Sequence, residues 1–526
     1  MLDILITGGT VIDGSGAAGR RADVAIAGDR IRAVEPLPAA PAARVIDASG
    51  LVVAPGFIDM HSHADFTLPA LPTANSKVHQ GFTLEVVGNC GASPAPLDES
   101  SRQAVIDAAG LVGPPLAWDW SSVASFVDRL RQQGTSVNVA LLVGHGTIRI
   151  GAMGTSDAAP TPAQLEAMTT EVRRAMDDGA LGLSTGLIYP PGVYAAVAEI
   201  VALARAAADA GGLYASHIRG EGDTLLEAIA EAIEVGRRAR VPVEISHLKA
   251  AGRANWPKMA QAIALIDAAR AEGLDVTADM YPYRAGSTTL SALLPAWAHV
   301  GGRAALLARL RDPAERARLR DALDGAGMRR DAGWDAIFIC SCPARPECEG
   351  RSLADLAAER GVAPADAVLD LLREARAEAD MILFMMSEEN VGLGLRHPQV
   401  MIGSDGEGRA AEGPASAGKP HPRNYGTCPR FLGHYVREQR LVSLEDAIRK
   451  MTSLPAGKLR LRDRGLLQPG CLADVVVFDP ETVADTATFA DPHRYPHGIP
   501  WVLVNGQPVI AEGRHTGARP GRVVTH

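Results

Sequence analysis

Short β-rich segments alternate with amphipathic helical stretches through the middle of this chain, and that rhythm restricts the fold more than any other feature of the sequence. The β-rich pieces fall at residues 83–87, 139–143, 180–185, 213–216, 243–246 and 275–278. Between them lie stretches such as 195–208 and 225–236, whose apolar residues recur at helical spacing. Repetition of strand, helix and strand implies parallel strands joined by helical crossovers. A chain of 526 residues is long enough for a (β/α)₈ TIM-like barrel with extra parts.

The two ends read differently. Residues 1–54 hold short strands with tight turns, and the same style returns over 461–526 in AlaAspValValValPheAsp and TrpValLeuValAsnGly. The expectation is one small β-sandwich domain made by both chain ends, bracketing a barrel over 55–460. Residues 286–345 break the strand and helix rhythm and are expected to form an insertion over the barrel mouth. Nine candidate segments compete for eight barrel places, and 275–279 and 381–386 are rivals for the seventh.

Chemistry-bearing residues stand where β-rich segments stop. His61 and His63 follow AlaProGlyPheIleAspMet; two residues apart in extended chain, they point the same way and can share one ion. Cys90, His217, His247 and Asp405 each close another such segment, and His217 and His247 are 30 residues apart, about one βα unit. In a (β/α)₈ barrel the strand ends converge on one mouth, so these distant residues can meet in a metal centre. Sulfur and imidazole are good zinc ligands, and three protein ligands leave a position open for water. Cys340, Cys342 and Cys348 form a tighter group that lacks the fourth ligand and the spacing of a structural zinc site.

Composition narrows the partners. Charged residues are 21% and the net charge is −9, which argues against a nucleic-acid groove and gives no basic patch for a membrane surface. There is no apolar run of about 18 residues and no signal-peptide pattern at the start, so the expected compartment is the cytoplasm. Six irregularly spaced cysteines do not read as a disulfide framework.

The motifs GlyPheIleAspMetHisSerHisAlaAsp (56–65), GlyAsnCysGlyAlaSerProAlaPro (88–96), AlaSerHisIleArgGlyGlu (215–221), IleSerHisLeuLys (245–249), AlaAspMetTyrProTyr (278–283), GlySerAspGly (403–406) and the run from His421 to Gly433 together resemble the amidohydrolase superfamily. Within it they are similar to the N-acyl-D-amino-acid deacylases, the D-aminoacylases. Many members of the superfamily bridge two metals with a carboxylated lysine on the fourth strand. This chain has no lysine over 180–187. The resemblance instead implies that Cys90, His217 and His247 hold one tight Zn²⁺, that His61 and His63 form a second, weaker site bridged by Cys90, and that Asp405 moves the proton. It implies a small-molecule N-acyl amino acid as substrate, with Tyr283, Arg423 and Ser287 as contacts to its carboxylate; Lys249, two residues after His247 and on the same face of an extended chain, is the first candidate for that contact. His145 is a further candidate for substrate contact or support. Trp297 suggests a neutral or apolar side-chain pocket. Other amidohydrolase activities (a D-residue dipeptidase, a cyclic-amide hydrolase, a deaminase) and a non-catalytic scaffold stay open, as does assembly into a homo-oligomer.

Overall fold

The computed structural model describes residues 2–37, 40–109, 116–325 and 332–525. Its centre is a ring of parallel strands: Phe57–Asp59, Phe82–Val87, a third strand in two pieces (Asn138–Leu141 and Val143–Gly144), Gly182–Gly186, Leu213–His217, Val243–Ile245, Val276–Met280 and Val400–Ile402. Each neighbour in that order pairs in parallel. The period of two along a strand divides their side chains between two apolar layers. Ile58, Met60, Leu84, Val86, Ala140 and Met401 share the inner one. Phe57, Val87, Val139, Leu183 and Tyr214 belong to the outer one, packed with the helices. Helix Leu225–Ala239 shows why these segments wrap the ring: Leu225, Ala228, Ile229, Ala232, Ile233 and Gly236 are buried at helical spacing, while Glu227, Arg237 and Arg238 fall off that face.

The first and last strands meet through side chains as well as main chain. The Asp405 N–H donates to the His61 carbonyl at 2.7 Å and the His63 N–H to the Gly406 carbonyl at 2.9 Å. Below them Asp59 Oδ1 accepts the Ser404 N–H at 2.7 Å, and Asp59 Oδ2 pairs with Lys77 Nζ at 2.7 Å. Lys77 also stands 3.0 Å from Glu85 Oε2 and donates to Ser404 Oγ at 2.7 Å, all in fully buried surroundings. An ammonium in the core is thus the counter-charge of the carboxylate that stitches the ring. Lys77→Met leaves Asp59 buried without it, and we expect a loss of about 3–5 kcal/mol, read as an earlier unfolding midpoint in denaturant. An unchanged midpoint would show that the seam does not depend on this pair.

The seventh place in the ring belongs to Val276–Met280. Its rival, as Asp380–Phe384, lies in a separate three-stranded antiparallel sheet with Ala285–Thr289 and Ile337–Ser341. The chain ends combine as the alternation of their sequences suggests. Val52–Pro55 runs antiparallel to Val475–Phe478 within a seven-stranded sheet. That sheet shares a core of Ile4, Ile6, Val24, Val53, Val475 and Leu503 with the four-stranded sheet built on Leu2–Thr7. Val523–Val524 leaves this unit and pairs with the third barrel strand. Among the described residues no helix is long and apolar enough to cross a membrane.

Candidate metal centre

Six of the strand-end residues gather at one mouth. Cys90 Sγ lies 3.3 Å from His61 Nε2, 3.6 Å from His217 Nδ1 and 3.5 Å from His247 Nε2. Asp405 Oδ1 stands 3.1 Å from His63 Nε2 and 3.5 Å from His61 Nε2. A tetrahedral ion with metal–sulfur and metal–nitrogen bonds of about 2.3 and 2.0–2.1 Å sets its ligand atoms roughly 3.6 Å apart. The separations from Cys90 to His217 and His247 match that edge, so the donor set fits zinc in both chemistry and size.

The backbone is bent to aim these groups. Cys90, His247 and Asp405 have φ of 55°, 36° and 49°, the left-handed region that side-chain-bearing residues rarely occupy. Such strain costs about 1–3 kcal/mol per residue and concentrates at functional sites. The fourth strand passes hard against the Cys90 turn: a Cβ on Gly186 would lie 2.0 Å from the Cys90 carbonyl, so only glycine fits there. That strand offers Ser184 and Thr185 beside its glycines and no amine for a carboxylated bridge.

Carboxylates orient the rings. Asp279 Oδ2 is 3.2 Å from His61 Nδ1, and its Oδ1 accepts the His247 N–H at 2.9 Å. Glu221 Oε1 stands 3.0 Å from His247 Nδ1 and 3.7 Å from His217 Nε2. These contacts leave His61 Nε2 and His247 Nε2 facing the sulfur. Glu221→Gln removes the charge behind His247, and zinc affinity measured by chelator competition is expected to fall about 10–100-fold. Undiminished affinity would show that Glu221 does not support the ligand.

The electrostatics favour a cation at the mouth. Burial alone would raise the Cys90 thiol, but His61, His217 and His247 outweigh it and hold it well below its ordinary range. Burial likewise works against the Asp405 charge, and Arg423, with His247, His63 and His61, holds that carboxyl well below the usual carboxylate value. Two anionic groups then act back on the imidazoles. Burial opposes protonation of His63, yet Asp405 and Cys90 raise it to about 10.

A cavity of about 220 Å³ opens on this cluster and is lined by Cys90, His217, Lys249, Tyr281, Ser287 and Arg423 among others. Arg423 is buried, not a solvated loop charge: Nη1 is 2.8 Å from Asp405 Oδ2 and Nη2 donates to the Ser287 carbonyl at 3.2 Å. Lys249 Nζ donates to Glu221 Oε1 at 2.5 Å and lies 2.7 Å from His247 Nδ1. Ser287 Oγ donates to the Met381 carbonyl at 3.0 Å.

Three sequence candidates stand elsewhere. Tyr283 is not on the cavity wall; its ring packs edge-on against His421 and its hydroxyl faces Asp485 Oδ2 at 3.5 Å. Tyr281 lines the cavity in its place, with the Arg423 guanidinium 4.8 Å from its ring centre. The cause is local: the Tyr283 N–H donates to the Tyr281 carbonyl, an i to i+2 turn at Pro282 that swings the second tyrosine away. His145 opens helix His145–Met153 behind the cavity, with Nε2 2.8 Å from Glu199 Oε1. Trp297 is off the wall under the Arg318 guanidinium, 3.8 Å from its ring centre, so it says nothing about the pocket. Cys342 and Cys348 are buried free thiols, and Cys340 is a free thiol on the cavity wall; none belongs to a converging ligand group among the described residues. Glu221 and Asp279 were missed by the sequence reading, although each lies inside a motif that carries the resemblance.

A profile described as the Amidohydrolase family matches residues 44–510. A D-aminoacylase of Alcaligenes xylosoxydans xylosoxydans is 41% identical over 522 residues, covering 99% of this chain and 97% of that protein. An N-acyl-D-glutamate deacylase of the same organism is 43% identical over 525 residues, covering 99% and 96%. The crystal structure of an N-acyl-D-glutamate deacylase from Bordetella bronchiseptica, complexed with zinc and a phosphonate that mimics the tetrahedral intermediate, superposes over 100% of both chains with a TM-score of 0.84 at 39% identity. With a barrel whose mouth gathers a thiolate, four imidazoles and an aspartate, and with matches of this length, the chain belongs to the amidohydrolase family.

Proposed function

We propose that this protein is a zinc-dependent deacylase that hydrolyses the amide bond of N-acyl-D-amino acids to a carboxylate and a free D-amino acid. The observation that carries the reading is Cys90 Sγ at 3.6 Å from His217 Nδ1 and 3.5 Å from His247 Nε2, each the edge of a tetrahedral zinc, with Asp405 converging on Cys90 and His247. Cys90, His217 and His247 would hold the tight zinc, and His61 and His63 with Cys90 a second, weaker one. A zinc ion held there would supply a Lewis acid for the acyl carbonyl and would lower the pKa of water towards about 7.

The remaining steps belong to side chains. Asp405, kept ionised by Arg423, accepts the proton of the attacking water and returns it to the amide nitrogen, so the amine leaves uncharged. Arg423, Lys249 and Tyr281 line the cavity beside that aspartate and supply the donors for the amino-acid carboxylate. The D configuration is supported by the relatives' activities, since both nearly full-length matches named above act on D substrates by name.

The test is release of amino acid from N-acetyl-D- and N-acetyl-L-methionine by the purified protein, with and without chelator. The expected result is turnover of the D compound only, lost with chelator and restored by zinc. Equal turnover of both configurations, or a rate untouched by zinc removal, contradicts the reading.

A further inference from the structure

Asp380, Glu407 and Arg409 line the same cavity as the ligand cluster, and no step above uses them. Arg409 already has a carboxylate partner: Nε and Nη2 stand 2.9 and 2.7 Å from Glu407 Oε2, and Nη1 donates to the Ala417 carbonyl at 3.2 Å. Asp380 is in the opposite condition. Among the described residues its side chain has no hydrogen-bond or ion-pair partner, and it faces an arginine already neutralised by another carboxylate. Burial first, and then the Glu407 charge, push Asp380 up to about 8. Asp380 thus stands on the cavity wall without a cation of its own, and a cation brought beside it would lower its pKa and hold it ionised.

Its position relates it to the amino-acid half of the substrate. Arg423 donates to the Ser287 carbonyl, and Ser287 pairs across the small sheet with Ile382, two residues from Asp380. Two residues of strand span about 7 Å, within reach of a lysine or arginine side chain extended from an α-carbon held near Arg423. The apolar lining, Phe66, Val105, Ala108 and Ile150, comes from other segments and suits the acyl group.

We propose that Asp380 is the ion-pair partner of a cationic substrate side chain, making N-acyl derivatives of basic D-amino acids the preferred substrates. The inference rests on the deacylase reading and adds a substrate class to it. An acidic side chain would meet the Asp380 and Glu407 carboxylates, with the one nearby arginine charge already paired to Glu407, and like charges side by side disfavour it.

The experiment compares kcat/KM for N-acetyl-D-lysine, N-acetyl-D-arginine, N-acetyl-D-methionine and N-acetyl-D-glutamate in the zinc-loaded protein and in Asp380→Asn and Asp380→Lys, with zinc content as the check on folding. Wild type is expected to favour the two basic substrates over N-acetyl-D-glutamate by about 10²-fold or more. Asp380→Asn should lower the lysine-to-methionine ratio about tenfold. Asp380→Lys should invert the order of N-acetyl-D-lysine and N-acetyl-D-glutamate. Turnover of N-acetyl-D-methionine with no preference for the basic pair, or a lysine-to-methionine ratio untouched by both substitutions, overturns the subsite and leaves the deacylase reading standing. Turnover of none of the four removes the deacylase reading, and the subsite with it.

Discussion

Cys90→Ala is expected to yield a folded protein that no longer retains zinc through gel filtration and no longer hydrolyses its substrate. The sulfur is the hub of the cluster, within 3.6 Å of three imidazole nitrogens, and its removal takes one of three ligands from the proposed tight site. Changing a group that merely supports a ligand costs about 10–100-fold in affinity, so loss of the thiolate itself should cost more than about 10²-fold. The left-handed backbone at Cys90 is no obstacle to the interpretation, because alanine also carries a Cβ and inherits the same strain. His61→Ala provides the contrast: it removes a ligand of the weaker site and should spare most of the tight zinc. Metal analysis after gel filtration, set beside the rate on N-acetyl-D-methionine, reads both outcomes. A Cys90→Ala protein with a full equivalent of zinc would refute the ligand assignment.

Asp405→Asn separates metal binding from proton transfer. The amide has the shape of the carboxylate but cannot take a proton from water or deliver one to the departing nitrogen. Zinc content should stay near one equivalent, since Cys90, His217 and His247 are untouched. The rate should fall about 10²–10⁴-fold, the usual worth of a positioned acid or base. Arg423 loses its ion pair, so KM can move as well; the decisive number is kcat in zinc-replete enzyme. A kcat within tenfold of wild type would assign the proton to another group.

Much of the site was legible because its logic is one-dimensional. A candidate ligand at each strand end, combined with strands that run parallel, forces convergence whatever the loops do. His61 and His63 could be paired by alternation alone. Lys249 was reached by the same rule applied to His247, and the two side chains do meet, although His247 itself is left-handed and not extended. The rule failed where the chain turned inside the motif. Tyr281 and Tyr283 are also two apart, but the tight turn at Pro282 gives one to the cavity and the other to Asp485.

The seventh strand illustrates a different limit. Residues 275–279 and 381–386 are both short β-prone segments, and no local property says which one finds parallel partners. Pairing with the sixth and eighth strands decided it. Asp380, Glu407 and Arg409 were invisible for a similar reason, since charged residues at separate places in a sequence give no hint that one cavity gathers them. Lys77 is the sharpest case. In the sequence it is one lysine on a four-residue helix; in the fold it is the buried cation that neutralises Asp59 at the seam of the barrel.

X-ray absorption at the zinc edge tests the central claim most directly, because it counts the atoms around the metal in the protein as it stands. With one zinc per chain, the account predicts a single sulfur at about 2.3 Å together with two imidazole nitrogens at about 2.0–2.1 Å. A shell of nitrogen and oxygen alone, with no sulfur at bonding distance, would contradict it.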